Sequence, residues 1–176
     1  MQAPFFIVGA SRSGTTMLRL MLNAHSRLGV PDELKYLQSV APTVTRDSWK
    51  TPLTDEAYRA VIDTYAQKRP SVLDPTDDRL AEALMNARDR TIRGPYTTLL
   101  TQWADTHEKA RWGEKTPSNL YYVDVLSDMY PEAKFIHLIR DPRAVVQSMN
   151  SISYYSDDTI FNALNWRKAI RDRSEE

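Results

Sequence analysis

The chain has 176 residues, 41% of them hydrophobic and 26% charged, which is enough apolar material for the core of one domain. Its 23 basic and 23 acidic residues cancel, so no net field favours nucleic acid or an anionic membrane, and basic groups must act locally. The absence of cysteine excludes disulfides, thiolate nucleophiles and cysteine-ligated zinc, and the three scattered histidines make no metal-site spacing. No run approaches the ~18–20 apolar residues of a membrane span. Met-Gln-Ala-Pro leads straight into the first apolar run with no room for a signal peptide, so a soluble cytoplasmic protein is expected.

Phe5–Val8 is a short apolar run closed by Gly9, the pattern of a buried parallel strand. Thr15–Ala24 follows as a helix, with Leu18, Met21 and Leu22 at helical spacing. Residues 26–53 hold turn signals (Gly29, Pro31, Pro42 and Pro52) and only short helical possibilities. Thr54–Lys68 reads as a helix with Tyr58, Val61, Ile62 and Tyr65 on one stripe. Leu80–Arg90 and Pro95–Glu108 are further helices, the second carrying Tyr96, Leu99, Leu100 and Trp103. Ala110–Glu114 is a short strand, and Asn119–Met129 a helix with Ser118 as cap. Lys134–Ile139 is the second clear strand, and Asp141-Pro142 starts another helix as N-cap and first residue. A last helix covers about 158–172. Strands separated by helices predict an α/β fold: a three-layer, open, mostly parallel sheet whose ligands bind at the strands' carboxyl ends.

Gly9-Ala10-Ser11-Arg12-Ser13-Gly14-Thr15-Thr16 has the glycine spacing of a phosphate-binding loop between a strand and a helix. Small residues let such a backbone wrap an anion, and a helix N-terminus offers unpaired N–H groups. An ATP-binding loop of this length would carry lysine at position 15, where threonine stands, and Arg12 supplies a cation from inside the loop instead. A second segment, "KFIHLIRDPRAVVQSM", places Arg140 at a strand end and Ser148 eight residues later. Helix capping accounts for Asp141 and Pro142 but not for a cation closing a buried strand. A magnesium-binding role for Asp141 ranks lower, since Pro142 makes capping a sufficient one.

The segment "VGASRSGTTMLRLML" resembles the phosphosulfate-binding loop of sulfotransferases that use 3′-phosphoadenosine 5′-phosphosulfate (PAPS), in the branch whose loop reads Pro-Arg-Ser-Gly-Thr-Thr; Ser11 stands where that branch usually has proline. The resemblance implies a P-loop-like nucleotide-binding fold. It also implies that Ser13, Gly14, Thr15 and Thr16 hold the 5′-phosphate, with Ser11 in the same loop, and that Arg12 meets the sulfuryl group. Arg140 and Ser148 would hold the 3′-phosphate. Glu33, in "VPDELKYL", resembles the catalytic base of the tyrosylprotein and carbohydrate branches. On the residues alone it could equally decorate a helix N-terminus, and Asp32 lies beside it. "Glu-Lys-Thr-Pro" at 114–117 resembles family segments that place a lysine, here Lys115, beside the sulfate, with Glu114 orienting Lys115 or the substrate; a surface lysine next to a turn is the alternative. His107 lacks the motif of the histidine-base branch and reads as a solvated helix-end residue. Tyr121, Tyr122, Tyr154 and Tyr155 form pairs that suit an acceptor pocket or ordinary packing, and Trp103, Trp112 and Trp166 suit the core.

The resemblance covers about residues 4–172. It implies one domain over 1–176, lacking the C-terminal part with which the family continues. The function expected is metal-independent sulfuryl transfer from PAPS to a hydroxyl or amine of a small-molecule, carbohydrate or peptide acceptor. An ATP-dependent small-molecule kinase with an altered loop, and a truncated non-catalytic nucleotide-binding module, are the rival expectations.

Overall fold

The computed structural model describes residues 2–41, 49–68 and 78–174, which leaves the turn signal at Pro42 outside the described residues. Among the described residues four parallel strands form one sheet in the order β2-β3-β1-β4: β1 Phe5–Gly9, β2 Leu28–Gly29, β3 Arg111–Lys115 and β4 Lys134–Leu138. Helices α1 (Thr15–Asn23), α2 (Tyr36–Val40), α3 (Asp55–Lys68), α4 (Asp78–Met85) and α5 (Arg93–Thr106) lie between the first three strands' ends in sequence. A 3₁₀ segment, Pro117–Tyr122, runs into α6 (Val123–Met129), and α7 (Pro142–Asn150) and α8 (Thr159–Ser174) follow β4. The expected parallel α/β architecture is what the chain adopts. Among the described residues no helix is long and apolar enough to cross a membrane.

All five residues of β1 are buried, because the strand sits between β3 and β4 with helices on both faces. The period-2 alternation of a strand divides them. Phe5 and Ile7 meet Val30, Leu18 and Leu22 on the α1 side. Phe6 and Val8 enter the larger cluster, where Phe6 stacks on Phe135 at 5.5 Å between ring centroids. That cluster extends through Tyr36, which stacks on Tyr96 at 4.6 Å and meets Tyr65 edge-on at 5.1 Å. These rings carry hydroxyls that need partners when buried. Tyr36 donates to the Ile92 carbonyl at 2.9 Å and Tyr65 to the Leu34 carbonyl at 3.0 Å.

Two expected helices change shape. The helix expected from Asn119, capped by Ser118, begins instead as the 3₁₀ segment and becomes α-helical only at Val123, with no side-chain cap at either start. Thr116, the residue before that segment, spends its hydroxyl on Glu114. The helix expected over Leu80–Arg90 ends at Met85. Beyond it Asp89 turns its carboxylate to the Thr91 amide and hydroxyl and to Arg93, which starts α5 instead of extending α4. The two-residue β2 lies in a stretch expected to hold only turns and short helices; it pairs with Arg111 and Trp112 of β3.

Candidate active site

The carboxyl ends of β1, β3 and β4 lie side by side, since all three strands run the same way and pair in register. Each end hands the chain to one of the segments singled out from sequence. After β1 the backbone turns at Ala10, whose carbonyl accepts the Ser13 amide at 3.1 Å. Arg12 occupies the left-handed region at φ 68° and Gly14 at φ 98°, so the loop folds back sharply before α1 begins. No side chain caps α1, so its first-turn N–H groups are left to face the loop. Among the described residues the Ser13 hydroxyl is buried without a hydrogen-bond partner, and Thr15 is buried beside it. An unpartnered hydroxyl donor in such a cradle fits an anion.

Gly9 brings β4 against this loop. A Cβ at that position would lie 2.6 Å from the Leu138 carbonyl oxygen, so only glycine permits the approach. The chain leaving β4 then presents Arg140, whose guanidinium donates to the Arg12 carbonyl at 3.0 Å. In return Arg12 Nε donates to Ser148 Oγ on α7 at 3.0 Å. Asp141 caps α7 through the Arg143 amide at 2.8 Å, with Pro142 as the first helical residue. The Arg143 side chain holds the Asp141 carboxyl well down, at about 2. Among the described residues no group of three or more His, Asp or Glu is placed to hold a metal ion.

On the other flank, Lys115 ends β3 with 1% of its side chain exposed, which contradicts the surface-lysine alternative. Its ammonium donates to Glu33 Oε1 at 2.6 Å and to Thr16 Oγ1 at 3.3 Å, so one amine joins the loop helix to Glu33. Glu33 also lies 3.8 Å from the Lys35 ammonium. Asp32 is 83% exposed at its side chain and turns outward toward Arg19, so the two adjacent acids are told apart by geometry. The segment carrying Glu33 is braced at its start, where the Asn23 side-chain amide makes two bonds with Val30, at 2.8 and 2.7 Å.

Glu114 does not orient Lys115. Alternation along β3 sends it to the opposite face, where it has no exposed surface. Its carboxylate accepts from the Thr116 hydroxyl at 2.6 Å and from the Asn119 amide. Burial pushes its pKa from 4.5 up to about 7, a rise that bonds from Thr116 and Tyr96 only partly oppose. Its neighbours gave sequence reasoning no sign of this burial. His107 ends α5 as expected, exposed, with its ring stacked on Trp103 at 4.0 Å between centroids. Trp112 is buried, and Trp103 and Trp166 are half-buried.

Ser11, Arg12, Thr16, Glu33 and Arg140 line one cleft of about 440 Å³, and Tyr154 and Tyr155 form a wall of it. The same two tyrosines and Ser11 also border a second hollow of about 300 Å³, closed by Tyr121, Phe161 and Trp166. Tyr121, Tyr154 and Phe161 are the three most exposed large aromatic side chains among the described residues, and all three line this hollow. Their exposure is what core packing leaves unexplained.

The model of the sulfotransferase family matches residues 4–174. Protein-tyrosine sulfotransferase 2 of Gallus gallus is 29% identical over 82% of this chain and 33% of its own length. Protein-tyrosine sulfotransferase 1 of Homo sapiens is 28% identical over 83% of this chain and 33% of its own. The chain therefore spans about a third of these curated relatives, and about half, 51%, of a Caenorhabditis briggsae relative. The sulfotransferase domain from the curacin biosynthetic pathway shares the fold with a TM-score of 0.55, over 98% of this chain and 61% of that one, at 21% identity. With its strand-end loop, its paired arginines and a family match over nearly its whole length, the chain belongs to the sulfotransferase family.

Proposed function

We propose that this chain binds PAPS in the cleft at the strand ends and transfers its sulfuryl group to an acceptor hydroxyl or amine. The observation that carries the reading is that Arg140 donates to the Arg12 carbonyl while Arg12 Nε donates to Ser148 Oγ. These contacts join the loop to Arg140 and to Ser148, which supports a nucleotide phosphorylated at two ends as the ligand. The loop from Ser11 to Thr16 holds the 5′-phosphate with backbone N–H groups and hydroxyls, and Arg140 and Ser148 hold the 3′-phosphate. Arginine's planar donors suit phosphate oxygens.

Transfer is in line and loose, so positioning and charge do most of the work. The acceptor oxygen or nitrogen attacks sulfur, and the bond from sulfur to the 5′-phosphate oxygen breaks. Adenosine 3′,5′-bisphosphate leaves, and the acceptor's proton passes to Glu33. Arg12 and Lys115 stabilise the charge spread over the sulfuryl oxygens and the leaving phosphate. Lys115 reaches both the loop helix and Glu33, so it ties the donor side to the acceptor side. The acceptor approaches past Tyr154 and Tyr155, and the aromatic hollow beyond them favours one with a flat ring over a bare polyol.

The test is calorimetry. Adenosine 3′,5′-bisphosphate is expected to bind more tightly than adenosine 5′-phosphate, and more tightly than ATP with magnesium. Equal affinity for the bisphosphate and the 5′-monophosphate would remove the 3′-phosphate role. Selective binding of magnesium-ATP would favour the kinase reading.

A further inference from the structure

A carboxylate with no exposed surface has a large desolvation cost and needs a compensating set of hydrogen bonds. Glu114 has that set, and both of its oxygens lead to the same place. Oε1 accepts from the Thr116 hydroxyl, and Thr116 Oγ1 accepts from the Lys35 amide at 3.2 Å. The polarity is fixed, because a backbone N–H can only donate; the threonine must receive it and pass its own hydrogen to Glu114. Oε2 accepts from the Asn119 amide nitrogen, and Asn119 Oδ1 accepts from the Gln38 side chain at 3.3 Å. Two parallel chains of hydrogen bonds thus run from one buried carboxylate to Lys35 and Gln38, the N-cap and first turn of α2.

We propose that Glu114 is a positioning residue: through Thr116 and Asn119 it holds the first turn of α2, and thereby keeps the Glu33 carboxylate against Lys115. The proposal rests on the reading above that Glu33 and Lys115 act on the acceptor and the sulfuryl group. Lys35 needs such a hold. It sits in the left-handed region at φ 51°, with no side-chain cap for the helix it begins, and Glu33 precedes it by two residues. Glu114, Lys115 and Thr116 are consecutive and divide the work. Lys115 grips Glu33 itself at 2.6 Å, Thr116 grips the backbone just after it, and Glu114 anchors Thr116 from beneath. The sheet face away from the cleft therefore fixes a geometry on the cleft side.

Hydrogen exchange read by mass spectrometry tests this without any nucleotide. Thr116→Val keeps the side-chain shape and deletes the relay, so exchange in residues 33–40 should rise about tenfold, the effect of losing one net hydrogen bond. Exchange in β1 and α7 should stay at the parent level. Thr116→Ser restores the hydroxyl and should restore the parent pattern. Gln38→Ala cuts the second relay at its half-buried end and should raise exchange in the same segment. A rise spread evenly over the chain, or no rise in 33–40 in either the valine or the alanine variant, would make Glu114 an ordinary core group and overturn the proposal. Calorimetry with adenosine 3′,5′-bisphosphate on the same variants separates the two claims. Failure of the bisphosphate to bind any of them, parent included, would reject the donor reading while the exchange pattern still decides the positioning role.

Discussion

Arg12 joins both halves of the site: its side chain bonds Ser148 and its carbonyl is held by Arg140. On the proposed reading, removing Arg140 costs a phosphate ligand, and it also removes the donor that holds the Arg12 carbonyl. Arg140→Ala is expected to weaken binding of adenosine 3′,5′-bisphosphate roughly 10–100-fold by calorimetry, the range of one charged hydrogen bond. Its effect on adenosine 5′-phosphate should be smaller, and equal losses for both nucleotides would assign Arg140 to the loop alone. Glu33 belongs to the other half. Glu33→Gln keeps the shape and a hydrogen-bonding oxygen but cannot take the acceptor's proton, so turnover with PAPS should fall about 10²–10⁴-fold while the bisphosphate affinity holds. A parallel fall in affinity would instead mean that Glu33 serves mainly to orient Lys115.

The elements that carry the site differ in how openly the sequence declares them. β1, its loop, α1, β4 and the Asp141-Pro142 start of α7 rest on local signals: apolar runs, glycines at a turn, a cap and a proline. These are read from a few neighbouring residues. β2 is two residues long, too short for any periodicity, and exists because β3 offers Arg111 and Trp112 as partners. The 3₁₀ start at Pro117 and the burial of Glu114 likewise follow from contacts between distant segments. The same holds for Lys115: sequence left it between a site residue and a surface one, and only the approach of Glu33 and Thr16 settles that it is covered. Close packing of β1 on β4 gives a prediction at this scale. Gly9→Ala places a methyl against the Leu138 carbonyl and should destabilise the fold by about 1–3 kcal/mol in urea titrations. It should also weaken bisphosphate binding, because Arg140 leaves β4 just beyond the clash.

For the molecule as a whole, Glu114 makes stability depend on pH. Its carboxyl titrates at about 7 in the fold against an ordinary 4.5, so the folded chain retains a proton that the unfolded chain has released. The contribution is fully present below about 4.5 and is lost as pH rises through about 7, a total loss of about 3 kcal/mol. Urea unfolding followed from pH 4.5 to 8 should show this fall in the parent, and Glu114→Gln should flatten it. An unchanged slope in the variant would place the titration elsewhere. Asp141 acts in the opposite sense at the acid end: its depressed pKa favours the fold above about 4 and that preference fades toward about 2.

The concealment of Lys115 makes it a natural reporter. Amine-selective acetylation should mark the exposed Lys134 and Lys168 quickly and spare Lys115, whose side chain is 1% accessible. Any event that draws Glu33 away from it, such as a mutation in the α2 anchor or an acceptor competing for the carboxylate, would register as newly acquired label at that one amine. A covalent footprint would then follow the opening of the Lys115–Glu33 pair in real time, with the two exposed lysines as internal standards.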